Sequence, residues 1–177
     1  DIFIAYCPER MIPGNVYELV KNDRIIGGIN QKSSEETKKV YELISKGELI
    51  CTNSKTAEMS KLTENSFRDV NIAFANELSI ICDKLDINVF ELIKLANHHP
   101  RVNILTPGCG VGGHCIAVDP WFIIKKTPEQ AHLLETARHI NDYKPKFILN
   151  KVAEKIDELI ASGKSLKEIK ISCLGLS

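Results

Sequence analysis

Apolar positions follow two different rhythms along this chain. Up to about residue 53 they come in short runs broken by turn residues. Residues 2–7 (IFIAYC), 24–29 (RIIGGI) and 48–53 (ELICTN) each predict a short strand, the first two separated by the Pro/Gly-containing connection PERMIPGN. Between the second and third runs, Ser33-Ser34-Glu35-Glu36 predicts the opening of a helix that reaches about Ser45 and stops at Gly47. From Lys55 the rhythm becomes helical. A long stretch lacks Pro and Gly, and Leu62, Phe67, Val70, Phe74, Leu78 and Ile81 recur at helical spacing, predicting the apolar face of a spine helix. NVFELIKLAN predicts a second helix capped by Asn88, residues 98–114 an irregular stretch, and helix resumes near Asp119. A further helix is predicted from about Pro128 to Ala161, with Pro145 expected to kink or restart it.

Strand–helix–strand alternation followed by helices alone gives a fold class of α/β plus α. The α/β part reads as the trailing portion of a larger sheet domain. The last residues, IKISCLGLS, form another apolar run closing in a glycine turn. Because both ends fall on strand-like runs without sheet partners, the chain reads as an internal fragment.

Composition narrows the function classes. The chain has 177 residues, 44% hydrophobic and 26% charged, ordinary for a soluble globular protein. Lys plus Arg equals Asp plus Glu at 23 each, so no excess positive charge attracts nucleic acid or an anionic membrane. No apolar run is long enough to span a bilayer. The start, DIFIAYCPER, lacks the basic region and cleavage site of a signal peptide. Cysteines 7, 51, 82, 109, 115 and 173 contain no C-x-x-C pair, which fits a reducing cytoplasm and argues against a disulfide scaffold or zinc ribbon.

Candidate chemistry concentrates in a few places. Gly108 to Gly113 matches G-x-G-x-x-G, but a dinucleotide site needs a strand before it and a second strand ending in an acid after its helix. The residues after Gly113 read as helix with no second strand, so the segment is read as a glycine loop open to close ligand approach and not as a cofactor phosphate site. Cys115 ends that loop, just before the helix expected at Asp119-Pro120. Backbone N–H groups and the helix dipole favour negative charge there, which suits a nucleophilic thiol; a lone cysteine is more often a small buried hydrophobe. Lys61, Asn65 and Arg68 fall at i, i+4 and i+7 and share one helix face, although solvated surface is the usual origin of such a stripe. His99 and Arg101 alternate in a stretch read as extended, so both point one way. A metal-binding module using His98, His99, Cys109, His114 and Cys115 is disfavoured because tetrahedral sites want paired ligands at short regular spacings; no metal is expected.

At these residues the chain resembles the UDP-sugar 6-dehydrogenases. CPER-x-x-PGN, K-x-x-x-N-x-x-R-D, HPRVNIL-x-PG, GVGGHCIAVDPWF and ARHINDYKP occur in that family's order. VDPWFI followed by TPEQA-x-L-x-x-TAR is most similar to the branch acting on UDP-N-acetyl-D-mannosamine, with other UDP- or GDP-sugar 6-dehydrogenases, among them those for UDP-glucose and UDP-N-acetylglucosamine, as the alternatives. The resemblance covers essentially the whole chain. It implies the end of a Rossmann-like NAD domain over 1–53, a central helical dimerisation and catalytic domain over 54–164, and over 165–177 the first strand of a nucleotide-sugar domain. It implies NAD as cofactor, with the principal NAD site upstream, a UDP-sugar substrate, a homodimer through the helical domain, cytoplasmic location and a role in surface polysaccharide biosynthesis. Cys115 would form a thiohemiacetal and then a thioester. Lys61 would transfer a proton or stabilise an oxyanion, and Asn65 would hold that oxygen or a water. Glu9 would handle water, and Asp119 would partner the catalytic centre. Arg10, Met11, Arg68, His99, Arg101 and Gly112 would join Lys61 and Asn65 in binding substrate, Arg101 towards a neighbouring subunit. Where UDP-glucose dehydrogenases carry a second Glu and a Lys, this chain has Pro13 and Val118, so roles tied to those side chains do not transfer. A fragment of this kind is expected to be inactive alone, reading as a helical dimerisation module.

Overall fold

A computed structural model describes residues 2–10 and 20–174. The chain divides into two compact units, Asp1–Glu64 and Asn65–Ser177.

In the first unit, strands β1 (Ala5–Tyr6), β2 (Arg24–Gly28) and β3 (Leu49–Asn53) form one sheet in the order β1-β2-β3, with helix α1 (Gln31–Glu42) between β2 and β3. β2 and β3 are parallel, with Arg24 opposite Leu49 and Gly28 opposite Asn53. β1 is antiparallel to β2, Tyr6 facing Gly27. The ladder of β1 is shorter than the apolar run 2–7 suggests, since only Ala5 and Tyr6 pair in register and Ile4 adds a single bond from Ile29. α1 begins at Gln31, ahead of the Ser-Ser pair, because the Asn30 side chain caps it by accepting from Ser33 N at 2.8 Å. This frees Ser34 for the core. Its hydroxyl accepts from Gly28 N and donates to the Thr52 carbonyl, tying α1 to both parallel strands. Gly27 allows a close crossing: a Cβ there would lie 2.4 Å from Ala57 Cβ.

The long helix α2 runs from Ser54 to Leu85. In the second unit it is joined by α3 (Val89–Ala96), α4 (Asp119–Lys126) and α5 (His132–Ala161). Asn88 caps α3 by accepting from Phe90 N and Glu91 N, and Pro120 occupies the first turn of α4, where its missing N–H costs nothing. The buried face of α2 is not the expected one. Phe67, Phe74 and Ile81 are 69%, 50% and 45% exposed, whereas Asn65, Asp69, Ala73 and Asn76 are buried. The buried residues stand at i, i+4, i+8 and i+11, one helical stripe. Polar groups can occupy it because Arg138 and Asn141 of α5 supply matching donors and acceptors. α5 is continuous through Pro145, so the expected restart does not occur. Residues 102–105 form no strand; Asn97 instead brackets Ile104, donating to its carbonyl at 3.0 Å and accepting from its N–H at 2.7 Å. Residues 169–174 have no ladder partner among the described residues. Among the described residues no helix is long and apolar enough to cross a membrane.

Candidate active site

Within the first unit, the antiparallel register carries the chain past β1 and brings Glu9 alongside Arg24. Arg24 is buried, and its guanidinium lies 4.8 Å over the Tyr41 ring. From there its Nη2 reaches Glu9 Oε2 at 3.5 Å, while Glu9 Oε1 accepts from the Arg10 N–H at 2.8 Å. Arg10 in turn donates through Nε to Glu64 Oε1 at 2.7 Å, and its Nη2 pairs with the same oxygen. Glu9 and Arg10 are therefore both held by ionic partners, Arg24 and Glu64, that the sequence pattern did not suggest. Burial pushes the thiol of the neighbouring Cys7 up, with the Tyr41 hydroxyl and Arg24 pulling it down. Lys61 lies half-buried on α2, three residues before Glu64. Met11 falls outside the described residues. A cavity of about 320 Å³, lined by Gly28, Asn30, Ser34, Cys51, Thr52 and Asn53, occupies the opposite, carboxyl end of the parallel strands.

Within the second unit, Asn65 is buried and its Nδ2 donates to Asp119 Oδ2 at 2.5 Å. Asp119 is the first residue of α4, and its N–H donates to the Cys115 carbonyl at 2.9 Å, as Val118 does at 3.2 Å. One α2 side chain thus fixes the turn that carries Cys115, which is itself exposed to solvent. The thiol does stand at a loop–helix junction. Gly112 has no neighbour within 4 Å of a Cβ built on it. Arg68 is exposed further along α2. His99 and Arg101 differ from expectation: residues 97–101 form turns in place of an extended stretch, and His99 Nδ1 accepts from Arg101 N at 3.2 Å. Both side chains are exposed. Among the described residues no three His, Cys, Asp or Glu side chains converge as metal ligands.

At two glycine-bearing turns a dinucleotide phosphate group fits poorly. Gly108–Gly113 follows no strand, and Gly108 N–H already donates to Asn76 Oδ1 at 3.0 Å. At the β2–α1 turn, a Cβ on Gly28 would meet Ser34 N at 2.5 Å, so that glycine serves packing and leaves no cradle.

Comparison with known proteins agrees with the fold. The sequence profile of the UDP-glucose/GDP-mannose dehydrogenase family, central domain, matches residues 55–143. The UDP-N-acetyl-D-mannosamine dehydrogenase of Campylobacter jejuni is 62% identical over 178 residues, covering 100% of this chain and 42% of that protein. An NDP-N-acetyl-D-galactosaminuronic acid dehydrogenase of Ralstonia nicotianae is 58% identical, covering 100% of this chain and 40% of that protein. A solved UDP-D-ManNAc dehydrogenase from Pyrococcus horikoshii superposes with a TM-score of 0.83 at 46% identity, over 89% of this chain and 38% of that one. The chain spans about two fifths of the length of the curated relatives it matches.

Proposed function

Because the chain belongs to the UDP-glucose/GDP-mannose dehydrogenase family, we propose that the protein carrying it oxidises the primary alcohol of UDP-N-acetyl-D-mannosamine to UDP-N-acetyl-D-mannosaminuronate. The observation that carries this reading is the Asn65–Asp119 bond of 2.5 Å, which fastens the turn holding an exposed Cys115. Conversion of an alcohol to an acid removes two hydrides, for which NAD is the acceptor the family implies.

The first oxidation leaves an aldehyde. The Cys115 thiolate adds to its carbon, forming the C–S bond of a thiohemiacetal and trapping the intermediate. Loss of the second hydride gives a thioester. Water then adds, the C–S bond breaks, and the acid departs with the thiolate restored. Each addition places negative charge on the former carbonyl oxygen, where the Lys61 ammonium and Asn65 amide would stabilise it. Glu9, with Arg24 beside it, is the carboxylate for the hydrolytic water. Arg10, Met11, Arg68, His99, Arg101 and Gly112 are assigned to substrate binding. The exposed stripe Phe67, Phe74 and Ile81 supports a homodimer through the helical unit. A cytoplasmic enzyme of surface polysaccharide synthesis fits this substrate. A related sugar substrate is the second reading, favoured by the 58% identity to the N-acetylgalactosaminuronate enzyme.

The test is Cys115→Ser in the full-length protein, with uronate measured by chromatography. Uronate formation should be abolished, because serine cannot supply a thiolate at neutral pH. Normal uronate formation would discard the mechanism. A panel of UDP-N-acetylmannosamine, UDP-N-acetylglucosamine, UDP-N-acetylgalactosamine and UDP-glucose then compares kcat/KM; highest kcat/KM for another sugar discards the substrate assignment.

A further inference from the structure

The ARHINDYKP segment, residues 137–145, contributes none of the candidate site residues, yet four of its side chains are buried within α5: Ala137, Arg138, Asn141 and Lys144. Arg138 Nη1 donates to Asp69 Oδ1 at 2.7 Å, and its Nη2 pairs with Asp142. Asn141 Nδ2 donates to Asp69 Oδ1 at 2.8 Å and to the Asp69 carbonyl at 3.1 Å. With its amide group so oriented, Asn141 turns Oδ1 towards Asn76, which donates through Nδ2 at 2.9 Å. That leaves Asn76 Oδ1 free to accept from the backbone N–H of Gly108 at 3.0 Å. The chain of bonds therefore runs from a buried ion pair to the first glycine of the loop that ends in Cys115.

A second, apolar contact holds the same loop. Gly110 has φ +155°, and a Cβ built on it would lie 2.9 Å from Pro145 Cγ and 3.3 Å from Cδ. The proline ring supports the glycine backbone directly. Proline inside a helix removes an N–H bond and costs helix stability. Its place beneath Gly110 gives a reason for a proline inside α5. Beyond this support, a Cβ built on Gly112 or Gly113 would meet nothing within 4 Å, and the next hold on the loop is that of Val118 and Asp119 on the Cys115 carbonyl. The loop is pinned at both ends and open in the middle.

We infer that Asn76, Asn141 and Pro145 are positioning residues that hold the backbone at Gly108 and Gly110 and thereby set where Cys115 meets its substrate. This rests on the reading of Cys115 as nucleophile. The experiment compares Asn76→Ala and Pro145→Ala with wild type in the full-length protein. Three quantities are read: amide exchange of the peptide spanning 105–116, kcat and KM for the UDP-sugar, and Tm. Pro145→Ala restores a helix-forming residue, so its Tm should hold or rise while the loop loosens. Exchange at Gly108–Gly110 should speed up on the order of tenfold in either variant. kcat should fall by about tenfold to a hundredfold, with KM within about threefold of wild type. Wild-type exchange and kcat in Pro145→Ala would overturn the inference, even where Asn76→Ala fails to fold. Cys115→Ser run in parallel separates the two readings: uronate formation there discards the nucleophile, and with it the positioning role, whereas its loss with unaltered Pro145→Ala behaviour discards the positioning role alone.

Discussion

Replacing Asp69 by alanine should be among the most damaging single changes in the helical unit. Asp69 and Arg138 are 1% and 2% exposed, so solvent screens little of what is lost. The substitution removes the 2.7 Å partner of the guanidinium and the 2.8 Å acceptor of Asn141. Arg138 then keeps only Asp142, a half-exposed carboxylate. Removing one partner of a buried pair costs about 3–5 kcal/mol, since a charge is left buried and uncompensated. The pair itself is not ideal: Asp69 Oδ2 and Arg138 Nε have no hydrogen-bond partner among the described residues. Burial also pushes the Asp69 carboxyl up, against the opposing pull of Arg138 and Asn141. The double replacement Asp69→Leu with Arg138→Met should therefore recover most of the loss. What remains is the lost Asn141 bond, about 1 kcal/mol, because the Asp69 carbonyl still accepts from that amide. Urea unfolding of the full-length protein reports this through Trp121, whose ring in α4 stands edge-on to His139 of α5 at 6.0 Å. The reasoning is refuted if Asp69→Ala lies within about 1 kcal/mol of wild type, the scale of ordinary substitutions, or if the double variant is no more stable than either single one.

Three further outcomes are expected. Lys61→Ala should lower kcat on the order of a hundredfold while Arg68→Ala chiefly raises KM; steady-state kinetics in which both are silent would return this helix face to plain solvated surface. Lys144 is buried, and burial lowers its pKa from the ordinary 10.5, with Cys109 and Asp83 offsetting part of the effect. Its contribution to stability is then present above pH 10.5 and lost as pH falls through its lowered folded-state value. Lys144→Met should remove that loss and match or exceed wild-type stability at neutral pH; an unchanged pH profile in urea melts counts against it. Calorimetric titration of this 177-residue chain with NAD should give no micromolar binding, and a clear isotherm would contradict the reading that these residues alone do not hold the cofactor.

Elements with strong local signals were legible in the sequence. The β2–α1–β3 alternation, the Asn88 cap and the long helix from residue 54 follow from turn residues, capping chemistry and the absence of breakers. The face of α2 was not legible. Its aromatic residues have the right spacing for a core, but spacing gives a stripe and not the partner that covers it. The polar stripe is buried because Arg138 and Asn141, some seventy residues away, complete its hydrogen bonds. The same limit hid Arg24 and Glu64, whose roles depend on strand register and on a pairing 54 residues apart. Cys115, Asn65 and Asp119 were singled out separately, by loop position, helix-face spacing and motif order, and the structure adds the bond between Asn65 and Asp119. Pro145 was read by its local rule as a helix breaker, whereas its tertiary contact with Gly110 accounts for its position.

The open middle of the glycine loop bears on how a mutational library should read. At Gly27 and Gly28 any side chain meets backbone, so selection for folding alone should purge every alternative. Gly112 has neither a positive φ nor a neighbour to collide with. A library screened only for soluble expression should therefore accept many residues at Gly112. If a second screen for sugar oxidation accepts glycine alone, the difference between the two screens is the imprint of a molecule outside the chain. Position 112 then serves as a footprint, recording where substrate lies against the backbone without a bound complex.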